Sequence, residues 1–418
     1  MTQTHPVSQT PSSSRIASID ALRGLTILVM IFVNDLAGVK GAPGWMKHYY
    51  PYDADGMTFV DVVFPAFLFI VGMSIPFALG RKLDRGQSLW SVWKHIGTRT
   101  LGLLIIGVFM VNSYTISKTE GMNANLWIVL MYAAVILVWN QPPKQPGAKR
   151  TTALGLRAAG VVLLIVLAVL YRGSGEPGLI EMRTQWWGIL GLIGWAYLVA
   201  CIAFSLLRKN ALGMLAVMVL LYCLYAADRV DLFSGFWLRK WIGFGSMLGS
   251  QAAITVSGIL LGMILTPDSP VKSHGARIRW ALLFGLGMAI AAFLLHSMKD
   301  VHKMWIINKN AATPPWCLYS SAITVWIWAL TYWLMDVKGW KKWAVIVQPA
   351  GENPLFAYIL QPMLYSAFAL SALALGGFNL HAKLGAGFAL GFWRALVFAF
   401  AVTWLAGALK RAGLRLRL

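Results

Sequence analysis

The sequence predicts an all-α fold, a polytopic transmembrane helix bundle of about 12 spans, and three observations carry that prediction. Hydrophobic residues make up 58% of the chain and charged residues 12%, against roughly 25% charged in a soluble domain. The apolar residues run in blocks of about 17 to 25 rather than at amphipathic spacing, and such a block crosses a roughly 30 Å hydrocarbon layer as a helix. So many long apolar helices cannot all hide in one aqueous core. The third observation is the placing of Lys and Arg, which alternates from one connection to the next.

Taken in order, residues 1–14 are polar, rich in Ser, Thr and Pro, and are expected to be disordered. No small-residue cleavage site follows the first apolar run, so that run is expected to stay as a membrane anchor. Spans are predicted near 20–38, 58–80, 90–113, 124–140, 152–171, 187–207, 211–227, 247–266, 278–297, 316–335, 353–374 and 386–409. The fourth and seventh are short. No soluble domain fits between any two spans, so 15–418 is read as a single transmembrane domain. An inverted structural repeat can lie beneath a sequence with no visible short repeat.

Orientation follows from Lys and Arg in short connections. One alternating set holds Arg81, Lys82 and Arg85; Lys144, Lys149 and Arg150; Arg208 and Lys209; Lys272, Arg277 and Arg279; and Lys338, Lys341 and Lys342. Arg15 and the group Lys410, Arg411, Arg415 and Arg417 belong to it. The other set mixes acidic residues with fewer bases: Asp53, Asp55, Glu120, Glu176, Glu181, Asp228, Asp231 and Asp300. Both termini are therefore expected in the cytoplasm. The net charge of +21 is then a positive-inside signature and not a nucleic-acid surface. Cys201, Cys223 and Cys317 show neither a pairing pattern nor metal-ligand spacing, so no metal is expected.

Ionisable groups inside spans are costly and usually face a bundle interior or a water-filled cavity. Asp20 and Arg23, three apart, share one face of the first span at its cytoplasmic end. They form either a snorkelling ion pair or an anchor for a phosphate-bearing ligand. The span closes on Asn34 and Asp35, and the connection after it carries His48. Thr58 is placed to cap the second helix, with Asp61 one turn in. Next to a loop histidine, Asp61 can orient the imidazole or raise its basicity, as in acyl-transfer dyads. Alone, Asp61 reads equally as a helix-dipole carboxylate and His48 as an ordinary loop histidine. Arg99 lies near the cytoplasmic end of the third span. Arg394 lies inside the twelfth and calls for a buried anion, a carboxylate partner or a helix terminus. Asn353 before Pro354 suits a helix start.

Together these pieces resemble the heparan-alpha-glucosaminide N-acetyltransferase family and its bacterial relatives. The matching stretches are SIDALRG (18–24), MIFVND (30–35), Lys47-His48 followed by GMTFVDVVFPAFLFIVGMSI (56–75), INKN (307–310), DVKGW (336–340) and GENPLFAYIL (351–360). They occur in the family's order, densely over the first 80 residues and over 245–365, weakly over 120–245. The resemblance implies acetyl transfer across a bacterial inner membrane, from cytoplasmic acetyl-CoA to an amino sugar or related glycan on the far side. It implies His48 as acyl acceptor or general base, with Asn34 and Asp61 in the catalytic set. Asn308, Asn310 and Arg394 are expected at the acceptor, and Asp20, Arg23, Arg99 and Asn353 at the cofactor. A neutral imidazole can serve either role near pH 7, Asn34 can donate to the acyl oxygen, and Arg23 and Arg99 can hold phosphates. The partners expected are the lipid bilayer, the glycan acceptor and, as one option for assembly, a second copy in a homodimer.

Three departures stand beside the resemblance. The connection between Asn34 and His48 is longer than in the acetyltransferase. The family's RI-x-GVLQR-type motif is replaced by ANLWIVLMYA (124–133), and the middle region carries two extra spans. An amino-sugar carrier and a non-catalytic permease accessory therefore remain as alternative readings. The stretch Gly80–Gln87 only approaches the major-facilitator loop signature.

Overall fold

The computed structural model describes residues 16–143, 145–175 and 178–418. The 1–14 segment, Arg15, Lys144 and Glu176 lie outside them. Twelve helices appear at the twelve predicted positions: α1 (Ala17–Ala37), α2 (Val60–Ile75), α3 (Leu89–Asn112), α4 (Ala124–Trp139), α5 (Ala148–Leu170), α6 (Ile189–Leu207), α7 (Ala211–Arg229), α8 (Gln251–Ile264), α9 (His274–His296), α10 (Pro314–Tyr332), α11 (Pro354–Ala374) and α12 (Phe388–Arg411). Eleven are long and apolar enough to cross a membrane, α2, α8 and α10 being lengthened by π-helical turns; α4, at 16 residues, falls short of that length. The short fourth span of the sequence is thus short in the structure as well. A hairpin of Gly173–Gly175 and Gly178–Ile180 is the one sheet among the described residues.

The bundle is built around α1, α2, α8 and α10, with α3 and α6 packed beside them. Helices α5, α7 and α9 expose most of their surface, as lipid-facing helices do, while α8 is almost wholly enclosed. The α2–α8 contact is the most extensive, and glycine is its cause. A Cβ on Gly72 would stand 1.9 Å from the Thr255 carbonyl oxygen, and one on Gly258 2.0 Å from that of Phe69. Small residues let two backbones meet at this distance, where helix packing replaces the missing hydrophobic drive. Gly258→Leu is expected to push the two helices apart and abolish the folded monodisperse protein, as gel filtration in detergent would show. A normal elution profile would contradict this packing.

Two glycines of the sequence motifs have the same explanation. Gly24 packs on Val347 and Gly351, and a Cβ on Gly351 would stand 2.4 Å from the Asp20 carbonyl oxygen. The SIDALRG and GENP stretches therefore meet across the bundle, α1 against the short helix Gln348–Glu352.

Basic connections converge on one face. Arg208 pairs with Asp84 at 2.7 Å and Lys209 with Asp268 at 2.6 Å, joining the connections after α2, α6 and α8. On the opposite face the connections after α1 and α9 meet, through Asp55 with His296 at 2.8 Å and Gly56 N–H to the Ile307 carbonyl at 2.8 Å.

Candidate functional site

The site on the His48 face is assembled by the start of α2. Thr58 and Asp61 form a reciprocal cap: the Thr58 hydroxyl accepts from the Val60 N–H at 3.2 Å, and the Asp61 carboxylate accepts from the Thr58 N–H at 3.0 Å. Capping fixes Asp61 on the first turn, where it is 2% exposed. The same carboxylate accepts from the Tyr49 N–H at 3.1 Å and lies 2.7 Å from His48 Nδ1. The Thr58 hydroxyl also donates to the Lys47 carbonyl at 2.7 Å, so the loop is tied down on both sides of the histidine.

Lys309, passed over in the sequence, completes the group. Its Nζ lies 3.0 Å from Nδ1 and 3.2 Å from Nε2 of His48, and 3.8 Å from Asp61 Oδ1. Near-equal distances to two nitrogens that flank one carbon place the amine against the ring face, not in line with either N–H. An ionised carboxylate only accepts, so Nδ1 carries the proton to Asp61 and the Nε2 lone pair stays in the ring plane. Burial holds the Lys309 ammonium below the usual lysine value, against the pull of Asp61. The signal for Lys309 was its place between Asn308 and Asn310 in INKN.

A small cleft of about 20 Å³, room for one water, opens here among His48, Tyr49, Tyr52, Asp61, Lys309 and Asn310. Asn310 reaches it, donating to the Tyr52 carbonyl at 2.9 Å. Asn308 lines it as well and braces it: buried, it donates to the carbonyls of Tyr52 and Ala54, both at 3.0 Å, and accepts from the Ala311 N–H at 2.9 Å. Asn308→Ala would leave the Ala54 carbonyl and the Ala311 N–H without their partner, for a loss of about 2–3 kcal/mol, measurable by thermal unfolding in detergent; an unchanged unfolding curve would remove the bracing role.

Asp55 braces the same loops. It accepts from the Ile307 N–H at 2.8 Å and faces His296 at 2.8 Å and Lys299 at 3.4 Å. Burial pushes its carboxyl up, but Ile307 and His296 outweigh it and hold the group below its ordinary value of 3.8. A depressed carboxyl contributes stability above its unfolded pKa and loses it as pH falls through the folded one. Asp55→Asn should therefore unfold at lower temperature than wild type at pH 7, the gap closing well below pH 3.8. A gap that persists in acid would mean the charge is not what stabilises the loops.

Asn34 is not brought to this cleft. It is exposed at the end of α1, its amide donating to Gln361 at 3.3 Å. Its neighbour Asp35 takes the buried position. Arg394 Nε donates to Asp35 at 3.0 Å, Tyr365 OH donates to it at 2.6 Å, and His381 Nε2 lies 2.9 Å away. The anion that Arg394 required is this carboxylate, so Arg394 also lies apart from the His48 cleft.

At the other end of α1 and α2 a second cavity of about 240 Å³ gathers Arg23, Ser74 and Arg99 at a wall of apolar side chains that includes Ile27, Met30 and Phe67. Arg23 pairs with Asp20 at 3.1 Å and donates to the Ser74 hydroxyl at 2.8 Å, while Arg99 lies over the Tyr197 ring at 4.7 Å. Of the predicted cofactor residues, Arg23 and Arg99 thus share the cavity, and Asp20 reaches it only through its ion pair with Arg23. Asn353 is buried instead: its amide donates to the Leu414 carbonyl at 3.1 Å and accepts from the Leu416 N–H at 3.3 Å. It holds the N-cap position of α11, but its side chain makes no capping hydrogen bond. Among the described residues no group of three His, Cys, Asp or Glu side chains is placed to hold a metal.

A family model described as a domain of unknown function, DUF5009, matches residues 15–232, just over half of the chain. The human heparan-alpha-glucosaminide N-acetyltransferase is 30% identical over 154 residues, 34% of this chain and 22% of the human protein. Its mouse counterpart is 35% identical over 108 residues, 26% of this chain and 15% of the mouse protein. The chain matches under a quarter of the length of either relative.

Proposed function

This chain belongs to the DUF5009 family, and we propose that it is a multi-pass membrane acyltransferase. In this reading it moves an acyl group, acetyl by the name of its relatives, from acyl-CoA in the Arg23–Arg99 cavity to the amine of an amino sugar or related glycan at the His48 cleft. The observation that carries it is the 2.7 Å contact of His48 Nδ1 with Asp61. It commits one ring nitrogen to a buried carboxylate and leaves the other as a base or nucleophile.

Two chemical courses fit. In one, Nε2 takes the proton from the amine as its nitrogen attacks the thioester carbon; the N–C bond forms, the C–S bond breaks, and the thiolate leaves to be protonated. In the other, Nε2 attacks the thioester carbon, its N–C bond forming as the C–S bond breaks and the thiolate leaves; the amine then attacks the same carbon, the bond to Nε2 breaks, and the freed Nε2 takes the amine's proton. In both, Asp61 stabilises the charged imidazole and fixes the tautomer. The cavity wall fits the donor: two guanidinium groups suit phosphates, and the apolar side suits an extended arm. Phe67 of the cavity and Asp61 of the cleft are six residues apart on α2, about 9 Å along the axis, so an arm and not a headgroup has to bridge them. Tyr50 and Tyr52, exposed beside the cleft with rings 5.5 Å apart, offer faces for a sugar ring.

The convergence of Arg81, Arg208 and Lys209 on the face opposite His48 supports a cytoplasmic position for that face; the location proposed is a bacterial inner membrane. The test uses proteoliposomes with labelled acetyl-CoA on one side and glucosamine on the other. Labelled N-acetylglucosamine is the expected product. Unmodified sugar crossing without an acyl donor would overturn the proposal in favour of a carrier.

A further inference from the structure

The segment after α12 reads Leu414-Arg415-Leu416-Arg417-Leu418, an alternation of period two that suits an extended strap with one apolar and one cationic face. The structure ties it down along its length. The Arg415 N–H donates to the Asn140 side chain at 2.9 Å, the Gln141 N–H to the Arg415 carbonyl at 2.9 Å, and the Arg417 N–H to the Trp139 carbonyl at 3.0 Å. Asn353 holds Leu414 and Leu416 from the other side. The leucines turn inward: Leu416 is buried, and Leu418 lines the Arg23–Arg99 cavity. Its seat is made by Gly102, where a Cβ would stand 2.5 Å from the Leu418 Cδ2. Arg415 and Arg417 are exposed, and Arg417 is chain-adjacent to the residue in the cavity wall, about 3.8 Å away between Cα atoms.

We propose that this strap is a fixed part of the donor site, Leu418 closing the cavity wall and Arg415 with Arg417 forming a cationic rim that binds the phosphorylated nucleotide end of the donor. The inference rests on the reading of the cavity as the acyl-donor site. Among the described residues, the strap's hydrogen bonds are all made by its own backbone, so replacing the arginines leaves this anchorage intact.

The test is calorimetry on the full detergent-purified chain with two probes, CoA and pantetheine. Arg415→Glu with Arg417→Glu should weaken CoA about ten-fold or more and leave pantetheine within about two-fold, since only CoA carries the phosphates that the rim would hold. Added salt should narrow the CoA difference, and Arg415→Lys with Arg417→Lys should restore most of the affinity, which a purely structural role would not require. Leu418→Trp, filling the wall, should weaken both probes. A charge-reversed strap that binds CoA as wild type does would overturn the strap proposal and leave the donor cavity standing. A wild-type chain that binds neither probe would overturn the donor reading, and the strap's role with it.

Discussion

A His48→Ala protein is expected to fold, enter the membrane and bind CoA as before, yet lose acyl transfer by about 10²–10⁴-fold. Its side chain is 40% exposed, so truncation opens no large core cavity and removes little packing. What disappears is the ring nitrogen that Asp61 does not engage. Asp61→Asn should lose a large part of the same rate while retaining a cap for α2, because an amide no longer enforces the Nδ1–H tautomer. The measurement is the transfer rate from acetyl-CoA to glucosamine beside a CoA binding curve. Full activity in the His48→Ala protein would remove the histidine from the mechanism; loss of CoA binding together with activity would point to misfolding.

The second large effect is on stability. Arg394 and Asp35 are 8% and 1% exposed in their side chains and lie 2.9 Å apart. Arg394→Met would leave Asp35 without its guanidinium, and breaking one side of a buried pair costs about 3–5 kcal/mol. Removing both charges, Asp35→Leu with Arg394→Met, should be much milder than Arg394→Met alone, since an apolar pair has no uncompensated ion. Unfolding followed by tryptophan fluorescence in detergent distinguishes these cases. A double variant no better than Arg394→Met would show that Tyr365 and His381, and not the pair, hold this corner together.

These two clusters also show how far the residues could be read in order. The need of Arg394 for an anion follows from its place in an apolar span, since a charge there is costly. Which anion it finds does not follow, because Asp35 is 359 positions away and no spacing rule links them. Asn34 and Asp35 are adjacent, about 100° apart on a helix, so only one can face a given neighbour. The bundle turned Asp35 inward and left Asn34 against Gln361. The pairing of His48 with Asp61 was legible because both ends are local: a capping Thr58 sets the helix start and the loop folds back over 13 residues. Lys309 was not, since its closeness to His48 depends on α10 packing near α2. Asn353, expected at the donor, is instead the clamp on the Leu414–Leu418 strap.

By itself, the sequence determined the helices, their number and the alternation of their basic connections, because hydrocarbon permits only segments that satisfy their backbone internally. Block length and charge placement report that constraint directly. The tertiary structure decided which side chains share a cavity. Close approach at Gly72 and Gly258 and at Gly24 and Gly351 sets how the helices cross, and that crossing brings Arg23 to Arg99 and Lys309 to His48. Such meetings depend on packing between distant segments, which no local pattern encodes.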